Sequence, residues 1–547
     1  MSHPKPLGEL LKDAGVVNDE MIGYALQVQR VSKERLGDVL LRLRFVTDHE
    51  VARTLADQSG APYESLDSIN PGREALAQIP ANFAQKYGVL PLGFDGDCLV
   101  LATDDPYQSD IAERATRFTS WRLKLVAAPA SRLRRAIQRV YYMAEHPIAE
   151  DVARLASQLQ SGREVNTEAL LDLLLSAAVD ARASDIHISP TVSASLVSLR
   201  LDGVLHLRFA LPAGIHGRLV ATCKVRAALD IADTTRPQDG RATFKFIDGN
   251  YDLRVSTMPT SDGENLVIRV LSGSAELVSL GSLGLSKAQT RVLDHAVSQP
   301  HGTLFICGPT GSGKTTTLYA LLRRVNAMQR NIMTIEDPVE YRMPLAHQVE
   351  VNERAGLTFA NSIRSFLRQD PDVILVGEVR DEETAALSMR AAQTGHLVLT
   401  SLHANDAIGA LIRLRDLGVP SYLIAATLTA IVAQRLLRKL CLSCREPIAA
   451  SPPEVMPEAP LTRYRAKGCA RCLGTGYIGR QAVAEVLEID RDLARLIERG
   501  DTPSLLYEAI EARGFSSMRS EAIRMVDEGL TDEAEFDRVM GFDTYTR

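Results

Sequence analysis

Phe305-Ile306-Cys307-Gly308-Pro309-Thr310-Gly311-Ser312-Gly313-Lys314-Thr315-Thr316 decides the fold. The stretch begins apolar, as a buried strand does. It then fits G-x-x-x-x-G-K-[ST] from Gly308 to Thr315, and a helix-like run, Thr317 to Val325, follows. In that strand–loop–helix order, backbone N–H groups and a helix N-terminus face a triphosphate together. Gly311 and Gly313 turn where a side chain would block the amides. Gly308, Pro309, Thr310, Gly311, Ser312, Gly313, Lys314, Thr315 and Thr316 form the expected nucleotide cradle. Lys314 reaches the β- and γ-phosphates and the Thr315 hydroxyl ligates Mg²⁺.

Downstream, Ile332-Met333-Thr334-Ile335 reads as a second strand ending in Glu336-Asp337-Pro338-Val339-Glu340. Val373 to Val376 delivers Gly377-Glu378, and Leu397 to Leu402 lies between His396 and His403. Strands alternating with helices imply a parallel, RecA-like sheet, with carboxylates at the strand ends where ligands bind in an open α/β sheet. Glu378 is the expected holder of Mg²⁺ or its waters. Glu340 or Glu336 can orient and deprotonate the attacking water, and His396 and His403 can meet the γ-phosphate. No arginine inside this core is an obvious neutralising finger.

Upstream, the first 60 residues carry a repeat at an offset of 29: Leu7-Gly8, Leu11, Val17, Leu26 and Gln29 return as Leu36-Gly37, Leu40, Val46, Leu55 and Gln58. Each copy reads as a short helix, a turn and a second amphipathic helix. Residues 61–145 read as a small α/β unit, with a basic run at Arg132, Arg134, Arg135 and Arg139. Residues 146–165 read as a polar tether. Residues 166–275 open with a helix capped by Asn166 or Thr167 and continue as antiparallel strands with Asp202-Gly203 and Asp248-Gly249 turns. Arg254 and Arg269 stand on those strands, and Arg241 follows a Gln238-Asp239-Gly240 turn. Residues 276–547 read as the RecA-like domain that carries the phosphate loop. In it, Tyr422 to Leu440 reads as an Ala- and Leu-rich helix, and 490–540 as short amphipathic helices.

Four of the seven cysteines form Cys441-x-x-Cys444 and Cys469-x-x-Cys472, with 24 residues between the pairs. Two such turns present four thiolates tetrahedrally, as a structural Zn²⁺ site requires, in an insertion over about 438–480. A Pro-rich loop, Ala449 to Pro460, lies between the pairs.

At 547 residues the chain suggests roughly three or four domains. Its 45% hydrophobic and 24% charged content is that of an ordinary globular protein. The net charge of −6 and the single tryptophan argue against a dedicated nucleic-acid binder. Met1 to Gly15 lacks the apolar core of a signal peptide, no stretch reaches 18 apolar residues, and the cysteine usage fits a reducing cytosol.

Gly308 to Thr315, Thr334 to Glu340, Asp370 to Asp381 and Thr394 to His403 resemble the Walker A, Asp, Walker B and His boxes of the type II secretion and type IV pilus assembly ATPases. Ser184 to His187, Arg236 to Arg241 and Arg254 to Thr257 are similar to the preceding domain of that family. The resemblance implies a multidomain α/β protein. Its RecA-like P-loop core follows an α+β, PAS-like domain, which in turn follows an N-terminal helical repeat and small α/β domain. It implies Glu340 as general base, with Glu378, Lys314 and His396 also catalytic, and Arg254 and Arg269 as arginine fingers. The tetracysteine cluster also occurs in assembly members of the family.

By the same resemblance the protein is a cytoplasmic homohexamer, peripherally bound to the inner membrane through a platform protein and an associated adaptor. It turns that platform with ATP and Mg²⁺ to add pilin-like subunits to a filament. The repeat resembles a domain that in some members binds cyclic di-GMP, with Gln29, Arg35, Leu36 and Gln58 as candidate contacts. Pro6 stands where that motif carries arginine and Arg44 where it carries glycine, so helix packing is the reading preferred for it. A RecA-like nucleic-acid translocase and a nucleotide-sensing regulatory module are the competing functions.

Overall fold

The structure is a computed structural model that describes residues 5–66, 69, 71–107, 109–247, 249–272, 278–449 and 462–541. Asp248 of the second turn, the 275/276 boundary and the Pro-rich loop beyond Ala449 lie outside the described residues. Two compact units emerge: Met1–Ala14 with Asp48–Ala275, and Gly15–Thr47 with Glu276–Arg547. The middle of the helical repeat thus groups by contacts with the domain that carries the phosphate loop.

In the first unit, strands Val89–Asp95, Cys98–Thr103 and Arg122–Ala127 form a small sheet in that order, antiparallel and then parallel. A second sheet has six strands, every neighbouring pair antiparallel. Their order is Val204–Pro212, Ala194–Leu201, Asp185–Pro190, Gly263–Ser272, Gly249–Thr260 and Gln238–Phe246. Asn166 caps the helix Thr167–Asp180 by accepting from the Glu168 and Ala169 amides. That helix buries Leu170, Leu171, Leu174 and Leu175 in the core that also holds Ile186 and Ile268 of the sheet.

The polar tether expected over 146–165 is instead largely a helix, Ile148–Gln160. Ile148 and Val152 are buried, and Leu155, Ala156 and Leu159 pack beside them at helical spacing. Burial of that stripe outweighs the polar composition.

In the second unit a seven-stranded sheet runs Ala346–Glu350, Ile332–Glu336, Val373–Val376, Leu397–Leu402, Gly302–Cys307, Leu428–Leu440 and Tyr477–Glu488. The first six are parallel and the last antiparallel. Gly302–Cys307 and Leu397–Leu402 are buried along their whole length, as strands covered on both faces are. Leu428–Leu440 corrects the expected helix. Only Ser421–Thr427 is helical, and the rest pairs on both edges, with Gly302–Cys307 and with Tyr477–Glu488. Thr429, Ile431 and Val432 favour the pleat, and two satisfied ladders override the helix propensity of the Ala and Leu residues. Four helices, Arg491–Arg499, Pro503–Glu511, Met518–Asp527 and Glu533–Met540, follow the last strand.

Candidate functional site

Strand Gly302–Cys307 ends at the phosphate loop, and helix Lys314–Leu322 begins on the loop's last residues. Gly308 has φ 149°, and a Cβ there would stand 2.4 Å from the Gln434 carbonyl. Gly313 has φ 86° at the helix N-cap. Glycine is thus required once for close approach and once for a left-handed turn. Lys314 Nζ donates to the Gly308 and Pro309 carbonyls at 2.9 and 3.1 Å, and burial lowers its pKa while the Glu378 charge opposes that shift. The Ser312 hydroxyl is buried with no hydrogen-bond partner, an orphaned group inside a loop of phosphate-binding shape.

Gln434, which no sequence motif singled out, braces the phosphate loop. Its Nε2 donates to the Ser312 carbonyl at 2.7 Å and its Oε1 accepts from the Thr317 hydroxyl at 2.8 Å, with 1% of the residue exposed. It therefore pins the loop to the neighbouring central strand. The available signal was one amide inside an apolar run, which burial makes costly unless both ends are bonded. Gln434→Leu should weaken nucleotide binding by about tenfold, the equivalent of about 1.4 kcal/mol. Unchanged affinity in a nucleotide titration would contradict this.

Glu378 follows strand Val373–Val376 and is mostly buried. It pairs with Arg380, and His403 Nε2 lies 3.6 Å from its carboxylate. Glu340 is exposed, beyond the end of strand Ile332–Glu336. The parallel register puts the phosphate loop, Glu336, Glu378 and His403 at one edge, the C-terminal ends of the strands.

His396 does not join them. It precedes Leu397, which pairs with Gly302 at the opposite edge, and its Nδ1–H donates to the Ala391 carbonyl at 2.8 Å. The six residues Leu397–Leu402 separate the two histidines by about 20 Å of extended chain. His403 is therefore the histidine at the phosphate-loop edge, and His396 closes a turn. Glu336 is also withdrawn from solvent, 3% exposed and bonded to Tyr319, Thr334 and Gln348.

Within the first unit, Arg241 pairs in register with Arg254, and Arg254 with Arg269. The three line a cleft of about 430 Å³ together with Asp185 and Asp239. Arg269 Nε donates to Asp185 at 3.0 Å, while Arg254 is exposed. Like charges directly opposite on adjacent strands destabilise a sheet, so the row is electrostatically suited to an anion.

The sulfurs of Cys441, Cys444, Cys469 and Cys472 all lie within 4.8 Å of one another, and three pairs are 3.9, 3.8 and 3.7 Å apart. A tetrahedron with Zn–S bonds of about 2.3 Å has edges of roughly 3.8 Å, so the donor set fits Zn²⁺. The Cys469 and Gly476 amides donate to Cys472 Sγ at 3.1 and 3.2 Å. Such contacts orient a ligating thiolate.

In the repeat, Gln29 donates to the Glu34 carbonyl and Gln58 to the Lys5 carbonyl. Arg35 is the N-cap of helix Leu36–Arg42. Arg44, at the equivalent of Gly15, keeps the left-handed turn with φ 55°. Its guanidinium lies 5.7 Å from the Tyr341 ring centroid.

The sequence profile of the Type II/IV secretion system protein family matches residues 160–538, and that of the MshEN domain matches residues 59–147. The type IV pilus assembly ATPase PilB of Myxococcus xanthus is 33% identical over 551 residues, which cover 96% of this chain and 97% of that one. Type II secretion system protein E of Pseudomonas aeruginosa is 38% identical over 483 residues, which cover 84% and 96%. Among solved structures, the ATPase DotB of Legionella pneumophila aligns over 69% of this chain and 96% of its own, with a TM-score of 0.52. Its identity of 21% makes that a likeness of fold.

Proposed function

Because the chain belongs to the Type II/IV secretion system protein family, whose members hydrolyse ATP, we propose that it spends that ATP on assembling a filament of pilin-like subunits. The reading takes it to be a homohexamer in the cytoplasm, held peripherally at the inner membrane by a platform protein and an adaptor. Relatives named for pilus assembly and for type II secretion match it along most of their length, which supports this and leaves both pathways open. Among the described residues no helix is long and apolar enough to cross a membrane.

The observation that carries the proposal is the single edge shared by the phosphate loop, Glu378 and the segment bearing Glu340. Loop amides and Lys314 bind the phosphates. Thr315 and Glu378 are the residues that would hold Mg²⁺, which would supply charge neutralisation at the phosphates. Glu340 takes the proton as water oxygen attacks the γ-phosphorus, and the bond to the β–γ bridging oxygen breaks. Arg254 and Arg269 act as fingers on the charge that develops. Arg254→Ala should lower kcat by about a thousandfold in the assembled protein, the lower end of what such arginines contribute. Unchanged turnover would remove the finger assignment.

The tetracysteine cluster acts as a structural zinc site that takes no part in the reaction. The 29-residue repeat serves helix packing, with Leu11 and Val17 of the first copy and Leu40 and Val46 of the second buried. Titration with cyclic di-GMP should give no heat, and micromolar binding would overturn that part of the reading.

A further inference from the structure

We propose that Tyr319, Glu336 and Gln348 form a positioning device that fixes the general base relative to the phosphate loop. The proposal rests on the reading of Glu340 as that base. Tyr319 lies on the helix that Lys314 begins, and 1% of it is exposed. Its hydroxyl donates to Glu336, the last residue of strand Ile332–Glu336. Thr334 Oγ1 donates to the other carboxylate oxygen of Glu336 at 2.6 Å. Gln348 reaches the same oxygen at 3.2 Å and the Tyr319 hydroxyl at 3.3 Å.

Gln348 also holds the chain just past Glu340. Its Nε2 lies 3.2 Å from the Tyr341 carbonyl and its Oε1 accepts from the Met343 amide at 2.7 Å. The Tyr341 ring packs on Tyr319 with centroids 4.1 Å apart. The loop that carries Glu340 is thus held at both ends, by Glu336 before it and by 341–343 after it, and both holds converge on one hydroxyl of the nucleotide-binding helix. Burial and the Glu336 charge push the Tyr319 phenol pKa upward, which keeps its proton available to donate.

Glu336 itself is no base for water. Both its oxygens are occupied by neutral donors in a site closed to solvent. A buried carboxylate of that kind is expensive, and an apolar packing of the same volume would serve stability as well or better. The arrangement gains its value from geometry, since a displacement of about 1 Å at a reacting group costs up to about a hundredfold in rate.

Tyr319→Phe removes only the hydroxyl. In the full-length protein it should lower kcat about tenfold, with KM for ATP and nucleotide affinity essentially unchanged and the protein still folded, melting a few degrees lower because Glu336 loses a buried donor. Gln348→Leu should do the same by a different cut. Added to Glu340→Gln, Tyr319→Phe should cost nothing further, because the group it positions is already gone. Wild-type kcat in folded Tyr319→Phe, or an equal loss in the Glu340→Gln background, overturns the proposal alone. Full activity of Glu340→Gln removes the base assignment and this inference with it. Loss of fold in both Tyr319→Phe and Gln348→Leu would make the cluster merely structural, which also overturns it.

Discussion

Glu340→Gln is expected to bind ATP as the wild type does and to hydrolyse it about a hundredfold more slowly, the low end of what a positioned general base contributes. The substitution keeps the size of the side chain and removes its basicity. Glu340 is exposed on the loop after Ile332–Glu336, so no buried network depends on its charge. Binding rests on other groups: the loop amides, Lys314 and the Gln434 clamp beneath them. A single-turnover assay with a nucleotide titration separates the two effects. Wild-type turnover would shift the base role to another rim group, with Glu378 and His403 the remaining candidates.

Removing zinc is expected to act over a longer range. Cys441 follows the end of Leu428–Leu440 and Cys472 precedes Tyr477–Glu488, so the cluster closes the open end of this antiparallel pair, where Leu440 meets Tyr477. The same region is tied to the C-terminal helices. Arg445 donates to the Gly529 carbonyl at 2.7 Å, and Tyr477 and the Ala466 amide both bond Asp532. Farther along the first strand of the pair sits Gln434, opposite Ala484.

Loss of the metal should therefore loosen the C-terminal helices first and the hold on the phosphate loop second. Structural zinc supplies folding free energy directly. The Cys441→Ser, Cys472→Ser double variant should melt about 10 °C or more below the wild type and show a raised KM for ATP. Metal analysis should find one zinc per chain in the wild type. A wild-type protein without zinc, or an unchanged melting temperature in the double variant, would contradict the assignment.

The nucleotide loop was legible because its function is local: consecutive residues supply the turn, the amides and the cation. The strand ends carrying Glu340 and Glu378 were legible for a related reason, because short apolar runs ending in acidic residues mark the rim of an open sheet. Leu428–Leu440 was not, since a strand buried on both faces loses its period of two, and Ala and Leu then read as helix. The helix Ile148–Gln160 carried its apolar spacing openly, and only the polar residues around and between those positions hid it. His396 misled for a geometrical reason: adjacency in a motif says nothing about which edge of the sheet a residue occupies. The Glu336 cluster is assembled from Tyr319, Thr334 and Gln348, residues up to 29 positions apart, and no local pattern announces it.

The most direct measurement is release of inorganic phosphate by the purified, assembled protein given Mg²⁺ and ATP, beside the Lys314→Ala variant. Phosphate release by the wild type, reduced to background in the variant, is the predicted result. Release that persists in Lys314→Ala, or none from either protein, would contradict the claim that this edge of the sheet is where ATP is broken.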